Sequence, residues 1–564
     1  MTTHITFSIF QKNSSDRCCR RLHNHVKSSH VSLYIELLRN FAYYFNFTKK
    51  YISTMRWLFT FIVCLLLTNH LISQSLVGVQ SNYSGSGYMA LNPAELVSSN
   101  HYFDFTLFSV NIAADNDFMY LHNKDLTPYL FNNIIKRNNY PWQEVSKDDR
   151  TFYYDFHNNS KNKNLFEAID INLFSCMFAL NKKTALAFSI NNRIYSNVTN
   201  IPSEIPMMMT YEFDSTFWND NFSSNKKIRI ANLDWSEIAI AYSRNIYERF
   251  LKKIDVGVTG KFLIGYAEAA ATIDNVNFMI FNSDSLRINN SDAYLAYSLP
   301  FDYSLPFEDY NNEYGSFNKL LNKIKENSGI GFAFDLGFVY TKKADTKISN
   351  AKRRCMLPKS NYQWKLGISL TDIGAITFNK NAVEHHFLIN DKILSAQNFD
   401  SISCFQDLTD TLSKMSYGTT DKSLVSNKVV IGLPTSLNLQ FDYRLVKNFY
   451  IKLFWIQPFR LFKYSVTKVP KIAISPRYES DLIDFGIPVT LYNYSHANVG
   501  FFFRIACLTI GTENVGALCG FGKSHGTELY VSLKFYLTKG HCLGPERDAC
   551  WSESAFVRNK EKHK

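Results

Sequence analysis

Histidines are the side chains of this chain whose type most directly suggests catalysis or metal binding. Residues 74–538 contain seven of them: His101, His122, His157, His385, His386, His496 and His525. No Gly-x-Ser-x-Gly nucleophile motif, HExxH zinc motif or phosphate-binding glycine loop accompanies them. His385 and His386 fall in a predicted loop, and adjacent residues of an extended chain point to opposite sides. We therefore expect a solvated pair rather than two ligands of one metal ion.

Two other groups of residues could carry chemistry. Asp115 and Asp117 are two positions apart, so a strand would place both carboxylates on one side, although their spacing around Asn116 is also that of an ordinary turn. In the tail, His541, Cys542 and Cys550 lack the spacing of a metal site. The sequence therefore predicts no catalytic residue, no metal and no cofactor, and a protein that is not an enzyme.

The aromatic content is the most unusual feature of the composition, at 15% with 47 Phe and 33 Tyr. Aromatic rings suit pleated strands, where they pack against cross-strand neighbours. The mean hydropathy of −0.18 argues against a bundle of transmembrane helices, since each helix needs about 20 nearly uncharged residues. A membrane β-barrel avoids this requirement because only alternate residues face lipid.

The formal charge of +12 is concentrated near the ends of the chain. Residues 1–54, Arg56 and the tail 539–564 together carry +9 of it, so residues 74–538 carry only +3. A nucleic-acid-binding surface needs basic side chains clustered on one face, and no such stripe is visible in the sequence. Nucleic acid is therefore not an expected partner.

Residues 55–73 have the pattern of a secretory signal peptide. Met55-Arg56 supplies a positive charge, residues 57–67 are an apolar run, and a polar stretch ends in Ser73 before Gln74. The apolar run is too short for a comfortable membrane span, although an N-terminal anchor remains the alternative. Residues 1–54 show no periodic pattern and are interpreted as a non-native upstream extension.

Alternation of apolar and polar residues is the main signal for the fold. Five segments show it most clearly: 186–190, 254–264, 332–340, 362–370 and 437–445. Most reach the roughly 9–11 residues that a strand needs to cross a bilayer obliquely. Within 362–370, period-two geometry predicts that Leu366 and Ile368 face lipid while Lys365 and Ser369 face the lumen.

Charged residues lie in the middle of these strands, on their polar faces. They are Lys261, Asp335, Lys365, Asp442 and Arg444. The core of a β-sandwich would exclude such residues, so we interpret them as lining a wet lumen. The alternative is the solvent-facing side of a soluble secreted sheet, which would have to protect its strand edges without closure.

The strand connections are of two kinds. Residues 181–183, 247–253 and 446–448 form short turns, whereas the loops 122–165, 200–226, 300–328 and 380–426 are long, with short helices predicted over 317–325 and 406–415. Short turns at one rim and long loops at the other are typical of membrane barrels. The prediction is an all-β fold: a closed antiparallel transmembrane β-barrel of about 14–16 strands over 101–538, with an N-terminal plug segment at 74–100 and a polar tail at 539–564.

Several motifs resemble a known superfamily. Asn82-Tyr83, Gly85, Gly87 and Asn92-Pro93-Ala94 resemble the mature N-terminus of FadL-type barrels. The wider pattern is similar to an uncharacterised family of Bacteroidetes outer-membrane barrels, a domain of unknown function in the FadL-like and PorV-like superfamily. The further matching segments lie at 114–121, 367–374, 433–438 and 530–535, so that the resemblance covers about 75–537.

This resemblance implies a barrel of about fourteen strands whose N-terminal segment lies in the lumen, with Asn92, Pro93 and Ala94 as candidate plug or ligand residues. From the residues alone, Asn92-Pro93 is also an ordinary turn, because Asn bonds its own backbone and Pro fixes φ. The implied location is the outer membrane. The expected partners are outer-membrane lipid, hydrophobic small molecules and the barrel-assembly machinery, which recognises a closing strand such as 529–537.

Two functions remain open after this step. The first is a FadL-like channel for small hydrophobic solutes, and the alternative is a non-conducting scaffold or docking partner for secreted or envelope proteins, as in the PorV-like branch. The interior of the barrel discriminates between them. A continuous apolar tunnel favours transport, and an interior filled with side chains favours the scaffold.

Overall fold

The fold was taken from a computed structural model. It describes residues 81–122, 154–156, 161–203, 205, 221–249, 251–306, 309, 323, 326, 328–344, 362–395, 402–480, 482–516 and 523–537, apart from 182, 225, 283 and 284. Among these residues, no helix is long and apolar enough to cross a membrane.

The described elements are nearly all strands. Two 3₁₀ helices come first, Gly85–Ala90 and Pro93–Ser98, and one α-helix, α1, spans Phe405–Tyr417. The strands are β1 Phe103–Asn116, β2 Met119–His122, β3 Tyr154–Phe156, β4 Lys163–Asn181, β5 Thr184–Ile201, β6 Asn221–Ser224, β7 Ile228–Arg249, β8 Lys252–Asn282, β9 Ser285–Ser298, β10 Gly329–Lys343, β11 Tyr362–Phe378, β12 Ala382–Ser395, β13 Leu424–Ser426, β14 Val429–Gly432, β15 Ser436–Val446, β16 Phe449–Pro458, β17 Tyr464–Ser465, β18 Lys471–Glu479, β19 Ile483–Gly486, β20 Val489–Tyr492, β21 His496–Val499, β22 Phe501–Ile505, β23 Leu508–Thr512, β24 Lys523–Ser524 and β25 Gly526–Leu537.

Fourteen of these strands close into a ring, which confirms the predicted barrel. In order around the ring they are β1, β4, β5, β7, β8, β10, β11, β15, β16, β18, β19, β22, β23 and β25. All neighbours are antiparallel, and β25 pairs with β1 from Phe103↔Leu537 to Asp115↔Gly526, which completes the closure. A closed ring leaves no strand edge unpaired, which is what a lipid environment requires.

An exposed apolar band surrounds the ring. On β11, Leu366 and Ile368 are about 40% exposed, whereas Lys365 and Ser369 are 2–3% exposed and face inward. Neighbouring strands show the same division, since Ile238 to Tyr242 on β7 and Phe332 to Phe338 on β10 expose their outward apolar residues. The band identifies the chain as a barrel of the outer-membrane type.

The two rims of the barrel differ in the way the sequence predicts. At one rim the turns between β4 and β5, β7 and β8, and β15 and β16 are only a few residues long. At the other rim, β8 continues beyond the band. Phe262 is its last exposed apolar residue within the band, and the strand then runs on to Asn282. This part of β8 pairs with β9, and β9 pairs with β12. This extension rises beyond the band and carries α1.

The loop prediction for 380–426 was wrong in part. Residues Ala382–Ser395 form β12, which pairs with β9 over most of its length, and the predicted helix within the same stretch is confirmed as α1. The predicted loop 122–165 likewise contains β3, and 200–226 contains β6. The other predicted helix, 317–325, lies almost wholly outside the described residues.

Candidate functional site

The N-terminal segment, residues 81–100, lies inside the barrel near the rim with the short turns. Asn92 caps the second 3₁₀ helix, because its side chain accepts a hydrogen bond from Ala94 N at 3.1 Å. Pro93 occupies the first helical position, where the missing N–H would have no partner in any case. All three residues are buried. The Asn-Pro-Ala motif is therefore a turn that is buried inside the barrel.

Three glycines of the barrel wall provide the space for this turn. Gly257, Gly337 and Gly367 lie on the adjacent strands β8, β10 and β11, and Gly257 pairs directly with Gly337. A methyl group on Gly257 would lie 2.5 Å from Ala94 N, and one on Gly337 would lie 2.3 Å from Asn92 Oδ1. Any side chain at either position would therefore collide with the turn. We call these three residues the glycine row.

Charged and polar contacts attach the segment to strands on different sides of the ring. Lys365 of β11 binds Glu95 at 2.9 Å and the side-chain oxygen of Asn82 at 3.0 Å. Ser98 donates to Asp255 of β8 at 2.6 Å. These charges are buried, so removing one partner would leave the other uncompensated. The segment is thus held by specific pairs rather than by apolar contact alone.

Apolar side chains of the segment pack on a wall of small residues. The cluster joins four side chains of the segment to four alanines of β5 and β7 and one methionine of β4: Tyr88, Met89, Leu96, Val97, Ala185, Ala187, Ala239, Ala241 and Met177. Alanine on the inner wall lets the segment approach the strands closely, in the same way as the glycine row does on the neighbouring strands.

A cluster of buried charges fills the next level of the lumen. Asp372 is its centre, because its carboxylate is 3.0 Å from Arg193, 2.7 Å from Lys261 and 2.8 Å from Lys468. Asp335 binds Lys261 at 3.0 Å and accepts the backbone N–H of Asp372 at 2.7 Å. Asp372 has φ of 59°, a left-handed conformation that aspartate tolerates better than most residues. The strained backbone turns this carboxylate towards three cations.

A loop that enters the lumen from the rim opposite the short turns fills the third level. Residues 459–470 connect β16 to β18, yet Arg460 binds Thr199 at 3.1 Å and the N–H of Thr467 binds Asn197 at 2.9 Å. Both partners lie on β5, which is six positions away from β16 in a ring of fourteen. The loop therefore crosses the lumen, and Val466 within it is fully buried.

A buried carboxylate lies beyond the apolar band, on the upper part of β8. Glu268 is 0% exposed, and neither of its side-chain oxygens has a hydrogen-bond partner among the described residues. Burial, with a smaller contribution from the charge of Glu384, raises the pKa of Glu268 to about 8. This group is therefore neutral in the folded barrel at neutral pH.

The structure places the five charged residues predicted to line the lumen in different surroundings. Lys261 and Asp335 belong to the cluster around Asp372, and Lys365 binds the N-terminal segment. Asp442 pairs with Arg477 at 2.8 Å. Arg444 lies two residues nearer the rim on the same strand and is half-buried. For the first four, protein groups rather than bulk water neutralise the charge.

Sequence reasoning missed the residues that organise these contacts. Arg193 occupies a polar position of β5, within the strand that the alternation predicted, but it was not singled out. Asp372 lies in the segment 367–374 that carried the family resemblance, and Glu95 follows the Asn-Pro-Ala motif directly. Charges at inward positions of predicted strands could have indicated Arg193, whereas only the fold shows which carboxylates reach it.

The adjacent histidines and the aspartate pair have structural partners, whereas His157 lies outside the described residues. His385 contacts Ser423 at 2.9 Å and His386 contacts Asp292 at 2.8 Å. Both histidines lie on β12, so the prediction that they fall in a loop was wrong. Asp115 contacts His496 at 2.7 Å. Within the described part of the chain, no group of three His, Cys, Asp or Glu residues could hold a metal ion.

Several solved structures of channels and transporters are similar to this chain. A deletion mutant of the monoaromatic hydrocarbon channel TodX is 10% identical, with a TM-score of 0.34, and the match covers 81% of this chain and 95% of that one. The Pseudomonas putida toluene transporter TodX is 6% identical, with a TM-score of 0.26 and coverages of 82% and 98%. A Pseudomonas aeruginosa FadL homologue is 9% identical, with a TM-score of 0.23 and coverages of 83% and 99%.

No curated protein matches the chain. One family model does, the Family of unknown function (DUF5723), and it matches residues 93–513. The match begins at Pro93 of the buried turn and runs through the charge cluster and the inserted loop to Glu513, the residue after β23. Since it spans well over half of the sequence, the chain belongs to the Family of unknown function (DUF5723).

Proposed function

We propose that this protein is a non-conducting outer-membrane β-barrel that serves as a scaffold or docking partner for envelope proteins. The filled interior carries this proposal. The N-terminal segment, the charge cluster around Asp372 and the inserted loop 459–470 occupy three successive levels of the lumen. A conducting pore needs a continuous path for water or solute, and these three levels interrupt it.

Two cavities among the described residues support the same proposal. One lies between Tyr83 of the N-terminal segment and Tyr536 of β25, with a volume of about 20 Å³, and another beside Glu528 measures about 10 Å³. A cavity of roughly 10–15 Å³ on this measure holds one water molecule. These spaces can take single waters, whereas a solute the size of a fatty acid or an aromatic hydrocarbon needs far more.

The extension beyond the apolar band supports a docking role. From Phe262 to Asn282 on β8 there are twenty residue steps, which at about 3.3 Å per residue correspond to roughly 65 Å of strand. The strand β9 pairs with this part of β8, β12 pairs with β9, and α1 contacts β12. A long, paired sheet with a helix against it presents a fixed surface outside the membrane.

Electrical recording tests the closed interior. The purified barrel in a planar bilayer should show no steady conductance in salt solution, because each level of the lumen is held by buried ion pairs. A matched sample that lacks residues 81–100 keeps the charge cluster and the inserted loop, so it should also remain closed. Steady single-channel conductance by the intact chain would overturn the proposal.

A gated channel for small hydrophobic solutes is the second candidate, and one observation favours it. The wall beneath the N-terminal segment consists of Ala185, Ala187, Ala239 and Ala241 together with the glycine row. If the segment moved, these small residues would leave a groove of low polarity along β5, β7 and β8. Uptake of radiolabelled palmitate by cells producing the barrel, above that of cells without it, would favour this candidate.

Export is part of the proposal. The residues 55–73 would direct the chain across the inner membrane, and the mature protein would begin near Gln74, seven residues before the first described residue of the lumen segment. The barrel-assembly machinery would then insert it. N-terminal sequencing of the membrane-extracted protein tests this, and peptides from 1–54 in the mature product would contradict it.

A further inference from the structure

Three basic residues form a row on the outer face of the barrel at the rim with the short turns. Arg249 ends β7, Lys252 begins β8 and Lys342 lies near the end of β10. Arg249 pairs with Lys252 in the sheet register, and Lys252 pairs with Lys342. The three side chains are thus direct cross-strand neighbours. We call them the basic row.

Like charges directly opposite each other destabilise a sheet unless an anion balances them. The acidic side chains near the row are already engaged: Glu248 binds Lys343, and Asp255 binds Lys253 at 2.8 Å. Lys252 and Lys342 form no ion pair with any described residue. The protein therefore leaves at least two adjacent ammonium groups to be balanced from outside.

The residues above the row show where it lies relative to the membrane. Going towards the middle of the barrel, the outward positions after Lys342 are Tyr340 and Phe338, and those after Lys252 are Ile254, Val256 and Val258. Trp364 of β11 lies beside Tyr340 with ring centroids 5.3 Å apart. Aromatic rings concentrate at the level of lipid headgroups, so the next position outward lies among the phosphates.

The opposite side of the same rim has a different character. There the described outward residues are apolar and exposed, namely Leu482, Ile505 and Leu537. The basic row is therefore a local feature of β7, β8 and β10 rather than a general property of the rim. A local cluster of cations beside an aromatic residue suits a ligand that joins an anionic group to an apolar chain.

We propose that the basic row binds the headgroup of an anionic phospholipid in the leaflet next to the short turns. The phosphodiester would lie between Lys252 and Lys342, and the acyl chains would lie along Val258 and Phe338. The bound lipid would neutralise the cross-strand repulsion and fix the depth of this side of the barrel. The proposal requires a membrane-embedded barrel but is independent of whether the lumen conducts.

Lipid retention tests this inference. The purified full-length barrel would be reconstituted in phosphatidylcholine mixed with phosphatidylglycerol, extracted in mild detergent and analysed by native mass spectrometry. The test variant is Lys252→Gln with Lys342→Gln. The matched control is Lys392→Gln with Lys428→Gln, which removes two exposed lysines above the apolar band. Heat-modifiable migration on gels would show that each variant is folded.

We expect the intact barrel and the control to retain phosphatidylglycerol in preference to phosphatidylcholine. Each basic residue near an anionic surface is worth roughly fivefold in affinity, so the test variant should lose about 25-fold. For the intact barrel alone, rising NaCl should weaken retention, because salt screens exposed charges. This measurement does not depend on the folding of any variant.

Three results would overturn the inference. One is equal retention of the two lipids by the intact barrel, and another is unchanged retention by a folded test variant. The third is displacement of the lipid by millimolar inorganic phosphate, which would identify a site for a free anion instead. Failure of the barrel to enter membranes at all would overturn the membrane assignment and, with it, this inference, whereas the three results above would overturn the inference alone.

Discussion

The glycine row should respond to the smallest side chain that can be added. In Gly257→Ala, the new methyl group would lie 2.5 Å from Ala94 N and from the Pro93 carbonyl carbon, where no real Cβ lies, so the backbone must move. Gly260→Ala is the matched control, because this glycine is on the same strand and nothing lies within 4 Å of its added methyl group. The two variants differ only in what the methyl group meets.

The expected magnitude follows from two competing costs. Expelling the N-terminal segment would expose Tyr88, Met89, Leu91, Leu96 and Val97, all buried, at about 1.5–3 kcal/mol each, or roughly 10 kcal/mol together. Forcing an extra methylene-sized group into a packed interior typically costs about 1–3 kcal/mol. Because overpacking costs less than expulsion, the segment should stay in the lumen and shift, and the variant should be destabilised by about 1–3 kcal/mol.

Thermal unfolding in detergent measures this effect, with heat-modifiable gel migration as the readout of the folded barrel. Gly257→Ala should unfold several degrees below the wild type, whereas Gly260→Ala should unfold at the same temperature as the wild type. Protease sensitivity of residues 81–100 should rise only in the first variant. Identical unfolding of all three proteins would show that the turn does not press against the wall, and the assignment of the glycine row would then be incorrect.

Three further predictions use the same readout. Ile368→Arg in the apolar band should cost about 2–4 kcal/mol, whereas Ile393→Arg, 59% exposed on β12 beyond the band, should cost little; equal costs would contradict the band assignment. Lys261→Met should cost about 3–5 kcal/mol of stability because it leaves the carboxylates of Asp335 and Asp372 with fewer cations. Adding Asp335→Asn should recover part of this loss, and no recovery would show that Lys261 and Asp335 are not coupled. Burial raises the pKa of Glu268 to about 8, so the folded state holds a proton that the unfolded chain releases above the ordinary glutamate pKa. The free energy of unfolding should therefore fall between about pH 4.5 and 8, with a slope of at most about 1.4 kcal/mol per pH unit. Glu268→Gln should remove that slope, and an unchanged slope would refute its attribution to Glu268.

The barrel itself could be predicted because its evidence is local. In 362–370 and 437–445 every second residue is apolar, and the structure places those strands side by side, with Ile368 opposite Leu439. The strand β12 was missed because apolar residues lie on both of its faces, so the sequence shows no clear alternation there. Phe387 and Ile389 are buried while Leu388 between them is exposed, and the polar residues that follow resemble those of a loop.

The contents of the lumen could not be predicted in the same way. The polar faces indicated an interior that tolerates charge, but they did not distinguish water from protein as the neutralising partner. Asp372 meets Arg193, 179 residues earlier in the chain, and Lys468, 96 residues later. Nothing in the spacing of these residues links them. The loop 459–470 has no periodicity, and its partners on β5 become neighbours only when the ring is closed.

The contacts of the N-terminal segment have a consequence for the order in which the barrel assembles. Ser81 bonds Asp484, 403 positions later, and the backbone of Ser84 accepts a bond from Lys534, 450 positions later. Residues that precede every strand of the ring thus obtain their final partners from strands near its end. Contacts at such sequence separation slow folding, because the chain must lose its entropy before they form. Closure of the seam between β1 and β25 and docking of the segment should therefore be a single late event. The reverse step must break both together, which gives the assembled barrel a long lifetime through its rate of unfolding rather than through its equilibrium stability.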